Sequence, residues 1–256
     1  MTPDHGADAG GDPADLQAKQ ALREEVWQAL IDEDAARFPG ARGRIPNFVG
    51  AEAAADRLRG LEVWRHAAVV KSNPDSPQWP VRQRALADGL VLYLAVPRLA
   101  QQQPFLRLDP AGLDVAPRAA SSIKGAETHG QLVAVEDLEP VDLVVSGCVA
   151  VDRAGARLGK GGGFADLEFA LAQAAGVITE DTTVVTTVHQ AQIVDTGRIP
   201  MTDHDVPVDL VITPDEMVRC GRRHPRPDGI EWDQLTEEKI ASIPLLQRWQ
   251  QQSSTR

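Results

Sequence analysis

Residues 141–166 read VDLVVSGCVAVDRAGARLGKGGGFAD. The apolar run at 141–145 is typical of a buried strand, and the glycine-rich segment that follows leads into a helix predicted from about Ala165 to Ala175. A strand, a glycine-rich turn and a helix in this order form a unit of sheets that are covered by helices. The stretch therefore predicts an α/β protein.

Other segments of the chain repeat this pattern of apolar strand and helix. Short apolar or β-branched runs predict strands at residues 67–70, 90–96, 183–188 and 208–212, and helical spacing predicts helices at residues 15–37, 51–59 and 80–88. Strands that are apolar throughout are buried on both faces. We therefore expect a three-layer α/β/α fold with a mostly parallel central sheet.

The domain organisation follows from changes in composition along the chain. Residues 1–14 are rich in Gly, Asp, Ala and Pro and predict a disordered tail. Residues 15–221 predict one α/β domain, and residues 222–256 a C-terminal arm that packs on it. Residues 101–130, with three glutamines and several prolines, predict either a peripheral excursion or an active-site loop.

Composition excludes several classes of protein. The chain has 256 residues and a formal net charge of −11, which disfavours a nucleic-acid-binding surface. It contains no apolar run long enough for a bilayer and no secretory signal, so we expect a cytoplasmic protein without membrane association. Two cysteines, Cys148 and Cys220, cannot form a disulfide framework, and we expect both in the core.

The segment from Arg157 to Asp166, here called the glycine loop, predicts phosphate binding. Glycines allow a tight turn and a close approach to a ligand, and their amides can converge on phosphate oxygens at the start of a helix. Arg157 and Lys160 add full charges, and Asp166 could hold a Mg²⁺ ion that bridges phosphates. A flexible connector is the alternative. The loop is neither a Walker A loop nor a Rossmann fingerprint.

The sequence RLGKGGGFAD of this loop resembles the R-x-G-x-G-G-G-Y-Y-D loop of the 5-formyltetrahydrofolate cyclo-ligase family, which binds ATP phosphates and magnesium. Lys19-Gln-Ala-Leu-Arg23 is similar to the family's K-x-x-x-R motif, and its spacing puts both cations on one helix face. The resemblance implies ATP contacts from Lys19, Arg23, Arg157, Gly159, Lys160, Gly161, Gly162, Gly163, Phe164 and Asp166, with Asp166 also as the metal ligand.

The family resemblance covers roughly residues 19–217. Residues 204–213 are similar to the family's closing H-D-x-x-x-D strand, where we expect a structural role for His204 and Asp205. Phe164 and Ala165 stand where the family has two tyrosines. The sequences NPDxP, GKGGGFADLE, VHQAQIVD and HDVPVDLVITP resemble the branch with archaeal and bacterial members and the methenyltetrahydrofolate synthetase domain-containing proteins of animals. By position, substrate contacts are predicted at Asn73, Asp75, Trp79 and Lys124.

The resemblance implies the ATP- and Mg²⁺-dependent conversion of 5-formyltetrahydrofolate, a reduced folate, to 5,10-methenyltetrahydrofolate. It also implies an open α/β fold of the kind found in sugar-phosphate isomerases and CoA-transferases, and we expect a monomer or a weak dimer. Three alternatives stay open. They are an ATP-dependent enzyme with a different substrate, a non-catalytic nucleotide- or folate-binding module, and an isomerase- or transferase-like protein.

Overall fold

The computed structural model describes residues 12–221 and 223–253. Most of the predicted tail and Arg222 therefore lie outside the described residues. The helices are α1 (Pro13–Asp32), α2 (Ala51–Arg59), α3 (Glu62–Arg65), α4 (Trp79–Ala87), α5 (Pro117–Ala120), α6 (Ile123–His129), α7 (Phe164–Ala174), α8 (Glu237–Ser242) and α9 (Pro244–Ser253). None of these helices is long and apolar enough to cross a membrane.

The strands are β1 (Ala36–Arg37), β2 (Asn47–Phe48), β3 (Val69–Ser72), β4 (Val91–Ala95), β5 (Phe105–Leu108), β6 (Gln131–Val133), β7 (Leu143–Val145), β8 (Ala150–Asp152), β9 (Arg157–Leu158), β10 (Thr183–Thr187), β11 (Ile193–Val194), β12 (Leu210–Ile212) and β13 (Met217–Arg219). Eight of them form one sheet in the order β13-β12-β10-β7-β3-β4-β5-β6. The strands from β12 to β4 in this order pair in parallel, and antiparallel strands extend both edges.

Helices cover both faces of this sheet. Neighbouring residues of one strand, such as Val69 and Val70, lie in different hydrophobic clusters because successive side chains point to opposite faces. Helices α2 and α4 pack on one face, and α7 and the last two helices pack on the other. The predicted three-layer α/β/α fold with a mostly parallel sheet is thus confirmed.

A smaller sheet of β11, β8 and β9 packs against α1. It interrupts the chain between β7 and the glycine loop, where the sequence predicted a direct connection from strand to loop. The hairpin of β8 and β9 was hidden because the apolar run continues through Val149 and Val151, both fully buried. The glycine loop therefore leaves the small sheet and enters α7, the crossover helix that leads to β10.

Two predicted segments differ from the structure. The first helix begins at Pro13 and ends at Asp32, short of the predicted residue 37, because Asp34 has φ +52° and the chain turns to pair β1 with β2. Residues 101–130, predicted as a peripheral excursion or an active-site loop, contain β5, α5 and α6. Phe105 and Leu108 are fully buried, which is why this strand joins the sheet edge.

The C-terminal arm (described here for residues 223–253) contributes α8 and α9. Ile243, Leu245 and Leu246 are completely buried in the same cluster as α7. Both cysteines are buried and free, as predicted. Burial raises the pKa of the Cys148 thiol to about 11, although a hydrogen bond with Thr186 opposes this, so the group stays a neutral core residue at physiological pH.

Candidate functional site

The glycine loop lies over the carboxyl edge of the parallel strands. Strands β3 and β7 run in the same direction, so Asn73, directly after β3, and Gly147, two residues after β7, lie at one edge. Ligands of open α/β sheets bind in the crevice at this edge. Within the loop, Gly161 has φ +102° and Gly163 has φ +62°, conformations that residues with a Cβ rarely adopt. The glycines are therefore required by the turn itself.

An ion pair joins the two ends of the glycine loop. The buried Arg157 guanidinium donates to Oδ1 of Asp166, and also to the carbonyls of Gly147 and Val206, both at 3.2 Å. The Val206 amide donates to the same Asp166 oxygen at 3.0 Å. Burial alone would lower the pKa of Arg157, but the charge and the hydrogen bond of Asp166, together with other nearby groups, outweigh it and raise the pKa. Arg157, the first residue of the loop, is thus held by two carbonyls outside the loop as well as by Asp166.

Helix α1 brings the predicted cations Lys19 and Arg23 to the loop. Arg23 Nε donates to the Gly159 carbonyl at 2.8 Å, and its guanidinium carbon lies 3.5 Å from the position that a Cβ would have at Gly161. Lys19 Nζ donates to Asp205 Oδ2 at 2.8 Å. Both side chains are buried, and Arg23 contacts the glycine loop across 136 residues of sequence.

Asp205 and His204 form part of a turn before β12. Asp205 accepts from the amide and hydroxyl of Thr202 at 2.9 and 2.8 Å, and Thr202 also contacts the His204 ring at 3.3 Å. Burial raises the pKa of Asp205, but the Lys19 charge and these hydrogen bonds together outweigh it and hold the pKa below its usual value. The expected structural role of this turn agrees with these contacts.

Lys160 connects the loop to the segment after β3. Its Nζ lies 3.1 Å from Oδ1 of Asp75, and the lysine side chain is about half exposed. Lys160, a predicted phosphate contact, and Asp75, a predicted substrate contact, are therefore direct neighbours. Lys160 can leave this exposed pair at little energetic cost, since surface ion pairs contribute about 0–1 kcal/mol.

A buried polar cluster lies where β3 meets α7. Glu168 Oε2 accepts from Lys71 Nζ and from Asn73 Nδ2, the latter at 3.1 Å, and Asn73 Oδ1 accepts from the Gly147 amide at 3.0 Å. Sequence reasoning missed Lys71 and Glu168. The available signal was a charged residue inside each of two apolar elements, because buried charges are normally paired.

The remaining predicted substrate residues are placed differently. Trp79 Nε1 donates to Ser121 Oγ at 3.1 Å, and the Arg118 guanidinium lies 4.7 Å from its ring centroid. One face of the indole is thus covered by the protein. Lys124 is exposed on α6 and makes no hydrogen bond to the glycine loop among the described residues. The predicted substrate contact of Lys124 stays a prediction.

Two buried side chains near the carboxyl edge have unsatisfied polar atoms. Within the described part of the chain, neither Nε2 nor Oε1 of Gln78 has a hydrogen-bond partner, and the same holds for the Thr187 hydroxyl. Oε1 of Gln78 lies 2.9 Å from the position that a Cβ would have at Gly147. An unsatisfied buried polar group lowers the stability of the fold by about 1–3 kcal/mol. Local propensity did not predict these unsatisfied atoms.

A cavity separates the glycine loop from the C-terminal arm. The domain side of this cavity is lined by Gly163, Asp166, Leu167, Ala170 and His204, and the arm side by Gly229, Ile230, Glu231, Gln234, Leu235 and Lys239. Lys239 Nζ donates to the Gly162 carbonyl at 2.9 Å and lies 5.0 Å from the Phe164 ring centroid. No sequence pattern indicated that the arm contacts the loop.

Asp166 is the candidate metal ligand at this site. The described residues contain no group of three or more His, Cys, Asp or Glu side chains that could hold a metal ion. Mg²⁺ needs only one or two carboxylates when phosphate oxygens and water complete its octahedron. Asp166 has one oxygen engaged by Arg157 and lines the cavity, so it fits an ion held mainly by a phosphate ligand.

Comparisons with known proteins support the sequence resemblance. Residues 15–214 match the 5-formyltetrahydrofolate cyclo-ligase family. The methenyltetrahydrofolate synthase domain-containing protein of Bos taurus is 36% identical over 233 residues, which is 90% of this chain and 61% of that protein. The corresponding protein of Mus musculus is 38% identical, again over 90% of this chain and over 62% of that protein. The chain thus spans about three fifths of these curated relatives.

Two further comparisons concern named enzymes. The mitochondrial 5-formyltetrahydrofolate cyclo-ligase of Arabidopsis thaliana is 37% identical over 82 residues, 31% of this chain and 30% of that protein. The NMR structure of Aquifex aeolicus 5,10-methenyltetrahydrofolate synthetase has a TM-score of 0.51 at 21% identity, covering 84% of this chain and 97% of that one. The structural match shows the same fold. With a family match over most of its length, this chain belongs to the 5-formyltetrahydrofolate cyclo-ligase family.

Proposed function

We propose that this protein converts 5-formyltetrahydrofolate to 5,10-methenyltetrahydrofolate with consumption of ATP and release of ADP and phosphate. One observation carries the proposal. The glycine loop, which contains Lys160 and contacts Arg23, lies over the carboxyl edge of a parallel sheet. The chain is a member of the cyclo-ligase family. This edge is where α/β proteins bind nucleotides and other small ligands.

The loop and its cations would bind the triphosphate of ATP. The amides of residues 159–163 and the start of α7 supply hydrogen-bond donors and partial positive charge. Arg23 and Lys160 supply full charges, and Lys160 would exchange Asp75 for a phosphate oxygen. Lys19 and Arg157 are buried in ion pairs, so we assign them to holding α1 and the loop in place around the phosphates.

The reaction asks the protein mainly for positioning and for stabilisation of charge. The formyl oxygen attacks the γ-phosphorus while the bond to the ADP oxygen breaks, which gives a phosphorylated imidate at the formyl carbon. The second folate nitrogen then attacks that carbon, loses its proton to solvent, and inorganic phosphate leaves. Arg23, Lys160 and the loop amides would stabilise the negative charge that accumulates on the transferred phosphoryl group.

Magnesium would enter with the nucleotide. Asp166 would supply one carboxylate oxygen, and phosphate oxygens and water the other ligands. The ion would neutralise charge between the β- and γ-phosphates. The Arg157 pair holds the Asp166 carboxylate in a fixed place beside the start of α7. Because Asp166 is the only carboxylate assigned to the ion, we expect Mg²⁺ to bind only together with the nucleotide.

The folate half of the site favours a second candidate. Asn73 is bonded on both sides of its amide to Glu168 and Gly147, and Arg118 covers one face of Trp79. Fewer of the substrate contacts that were predicted by position are therefore available for a folate. We keep an ATP-dependent enzyme for a different substrate, or a non-catalytic nucleotide- or folate-binding module, as the alternative.

The test measures turnover and nucleotide binding side by side. Purified protein is mixed with MgATP and 5-formyltetrahydrofolate, and the absorbance of the methenyl product is followed together with ADP release. We expect equal amounts of both products. ADP binding without any methenyl absorbance would overturn the cyclo-ligase activity, and a screen for ATP turnover with other formyl, carbonyl and amide compounds would then identify the second candidate.

A matched pair of variants checks the phosphate contact. Lys160→Ala should raise the KM for ATP about tenfold, because a charge-assisted hydrogen bond contributes about 1.5–3 kcal/mol. Arg153→Ala, on the neighbouring hairpin, removes a cation that pairs with Glu216 and is 50% exposed, close to the 49% of Lys160. Equal KM values for the two variants would contradict the role of Lys160.

A further inference from the structure

The C-terminal arm places a cation directly on the glycine loop. Lys239 lies near the start of α8 and donates from Nζ to the Gly162 carbonyl at 2.9 Å. The ammonium is 5.0 Å from the Phe164 ring centroid and 3.0 Å from the position that a Cβ would have at Gly163. The missing Cβ at Gly163 therefore gives the lysine room to reach the loop.

Several cations lie around the start of α7. Helix α7 has eleven residues, and its first amides give its start a partial positive charge. Arg23 lies against Gly161, two residues before the helix cap, and Lys160 is next in sequence. Cations thus converge on one helix start in a chain of net charge −11. Asp166 and Glu231 line the same cavity as Lys239. A bound phosphate would be attracted by the cations and by the helix start.

The cavity beside Lys239 gives such a ligand a partly enclosed place. Its domain wall contains Asp166 and Leu167, and its arm wall contains Ile230, Leu235 and Lys239. The match to the cyclo-ligase family ends at residue 214, so the arm wall lies outside the matched segment. The arm therefore completes the surroundings of the glycine loop with residues that the family match does not include.

We propose that Lys239 is a phosphate-binding residue of the nucleotide site and that the C-terminal arm is part of this site. The inference rests on the proposed function in so far as the glycine loop binds ATP. When the nucleotide binds, Lys239 Nζ exchanges the Gly162 carbonyl for a phosphate oxygen. The Phe164 ring, at a position where the family has tyrosine, keeps the ammonium over the loop through a cation–π contact.

Three point variants of the full chain test this role. Lys239→Met removes the charge and keeps an unbranched apolar stem, Lys239→Arg keeps the charge, and Glu238→Gln changes the exposed neighbour on the same helix as a control. Calorimetric titration measures the Kd of MgADP and, separately, of inorganic tripolyphosphate. Thermal unfolding of each variant confirms that it is folded.

We expect Lys239→Met to weaken both ligands about 10- to 100-fold, as expected for the loss of one charge-assisted contact. The effect should shrink at high salt, Lys239→Arg should restore most of the affinity, and Glu238→Gln should bind like the wild type. If the wild type and Lys239→Met bind MgADP with equal affinity, the inference about Lys239 is overturned but the proposed function is not. Weaker ADP with unchanged tripolyphosphate would also overturn it. A wild type that binds neither ligand would overturn the proposed function as well.

Discussion

Arg157 and Asp166 form an ion pair that joins the first and last residues of the glycine loop. The Arg157 side chain is 1% exposed and that of Asp166 13% exposed, so water screens the pair only weakly. Both residues also contact Val206, which precedes β12. The loop between them can therefore hold left-handed glycines in one conformation while its ends stay fixed to the sheet.

The first prediction concerns the stability that this pair provides. Arg157→Met should lower the free energy of unfolding by about 3–5 kcal/mol, because it leaves a buried carboxylate without its partner. Urea denaturation measures the change. Arg153→Met is the control, since its pair with Glu216 is exposed and should contribute at most about 1 kcal/mol. Similar small losses in both variants would show that the pair does not fix the loop.

The second prediction concerns the pH dependence of the Lys19–Asp205 pair. The folded pKa of Asp205 is below its usual 3.8, so the carboxylate stabilises the fold at pH values above about 4. This contribution is lost as the pH falls below that value towards the folded pKa. The wild type should therefore be more stable than Asp205→Asn at pH 6, and the difference should shrink towards pH 3.

A double-mutant cycle assigns this pH dependence to the pair. In a Lys19→Met background, Asp205→Asn should change the free energy of unfolding far less at pH 6, because the charge that lowers the Asp205 pKa is gone. The measurement is urea denaturation of the four proteins between pH 3 and 6. A difference between wild type and Asp205→Asn that is constant over this range would contradict the assignment.

The third prediction uses the unsatisfied amide of Gln78. Gln78→Met keeps the length of the side chain and removes two buried polar atoms that have no partner among the described residues. We expect the variant to unfold at a higher urea concentration, with a gain of about 1–2 kcal/mol. Gln131→Met, at an exposed position of β6, should stay within about 0.5 kcal/mol of the wild type. Destabilisation by Gln78→Met would show that the amide is hydrogen-bonded in solution.

Local sequence patterns were sufficient to predict the three layers of the fold and to locate the glycine loop. Apolar runs and helical spacing depend on neighbours in sequence, which is why α2 was predicted with its observed ends, Ala51 and Arg59. The approach of Arg23 to Gly159 spans 136 residues, and only the family resemblance indicated it. Composition and periodicity contain no information on such a contact.

The contacts that sequence reasoning missed depend on tertiary packing. Glu168 lies on a helix among apolar residues. Its partners are Lys71 in β3, 97 residues earlier, and Asn73 directly after β3, 95 residues earlier. In the sequence, Lys239 resembles any solvated lysine of a short helix. In the structure, Leu245 of α9 is buried in the core, and Lys239 of α8 contacts the loop. Charged residues inside apolar patterns are therefore the signal to follow in related chains.

The last prediction assigns a positioning role to Arg82. This buried arginine donates to the carbonyls of Asn73 at 2.7 Å, Asp75 at 3.0 Å and Ser121 at 3.0 Å. Burial lowers its pKa to about 10, against the attraction of Asp75. Its loss would remove this donor from two carbonyls in residues 73–79, where three of the substrate contacts are predicted, and from the carbonyl of Ser121.

Arg82→Met should therefore loosen residues 73–79 before it affects the glycine loop. Hydrogen exchange followed by mass spectrometry should show faster exchange in residues 73–79, while residues 157–166 keep their protection. The Kd of MgADP should change less than about threefold, because Arg82 contacts neither the loop nor α1, whereas the KM for the folate should rise. The matched control is Arg84→Met, on the same helix as Arg82, which removes ion pairs with the exposed carboxylates of Glu52 and Asp56 on α2. Equal loss of protection in both segments would mean that Arg82 supports the whole domain and has no specific role in positioning residues 73–79.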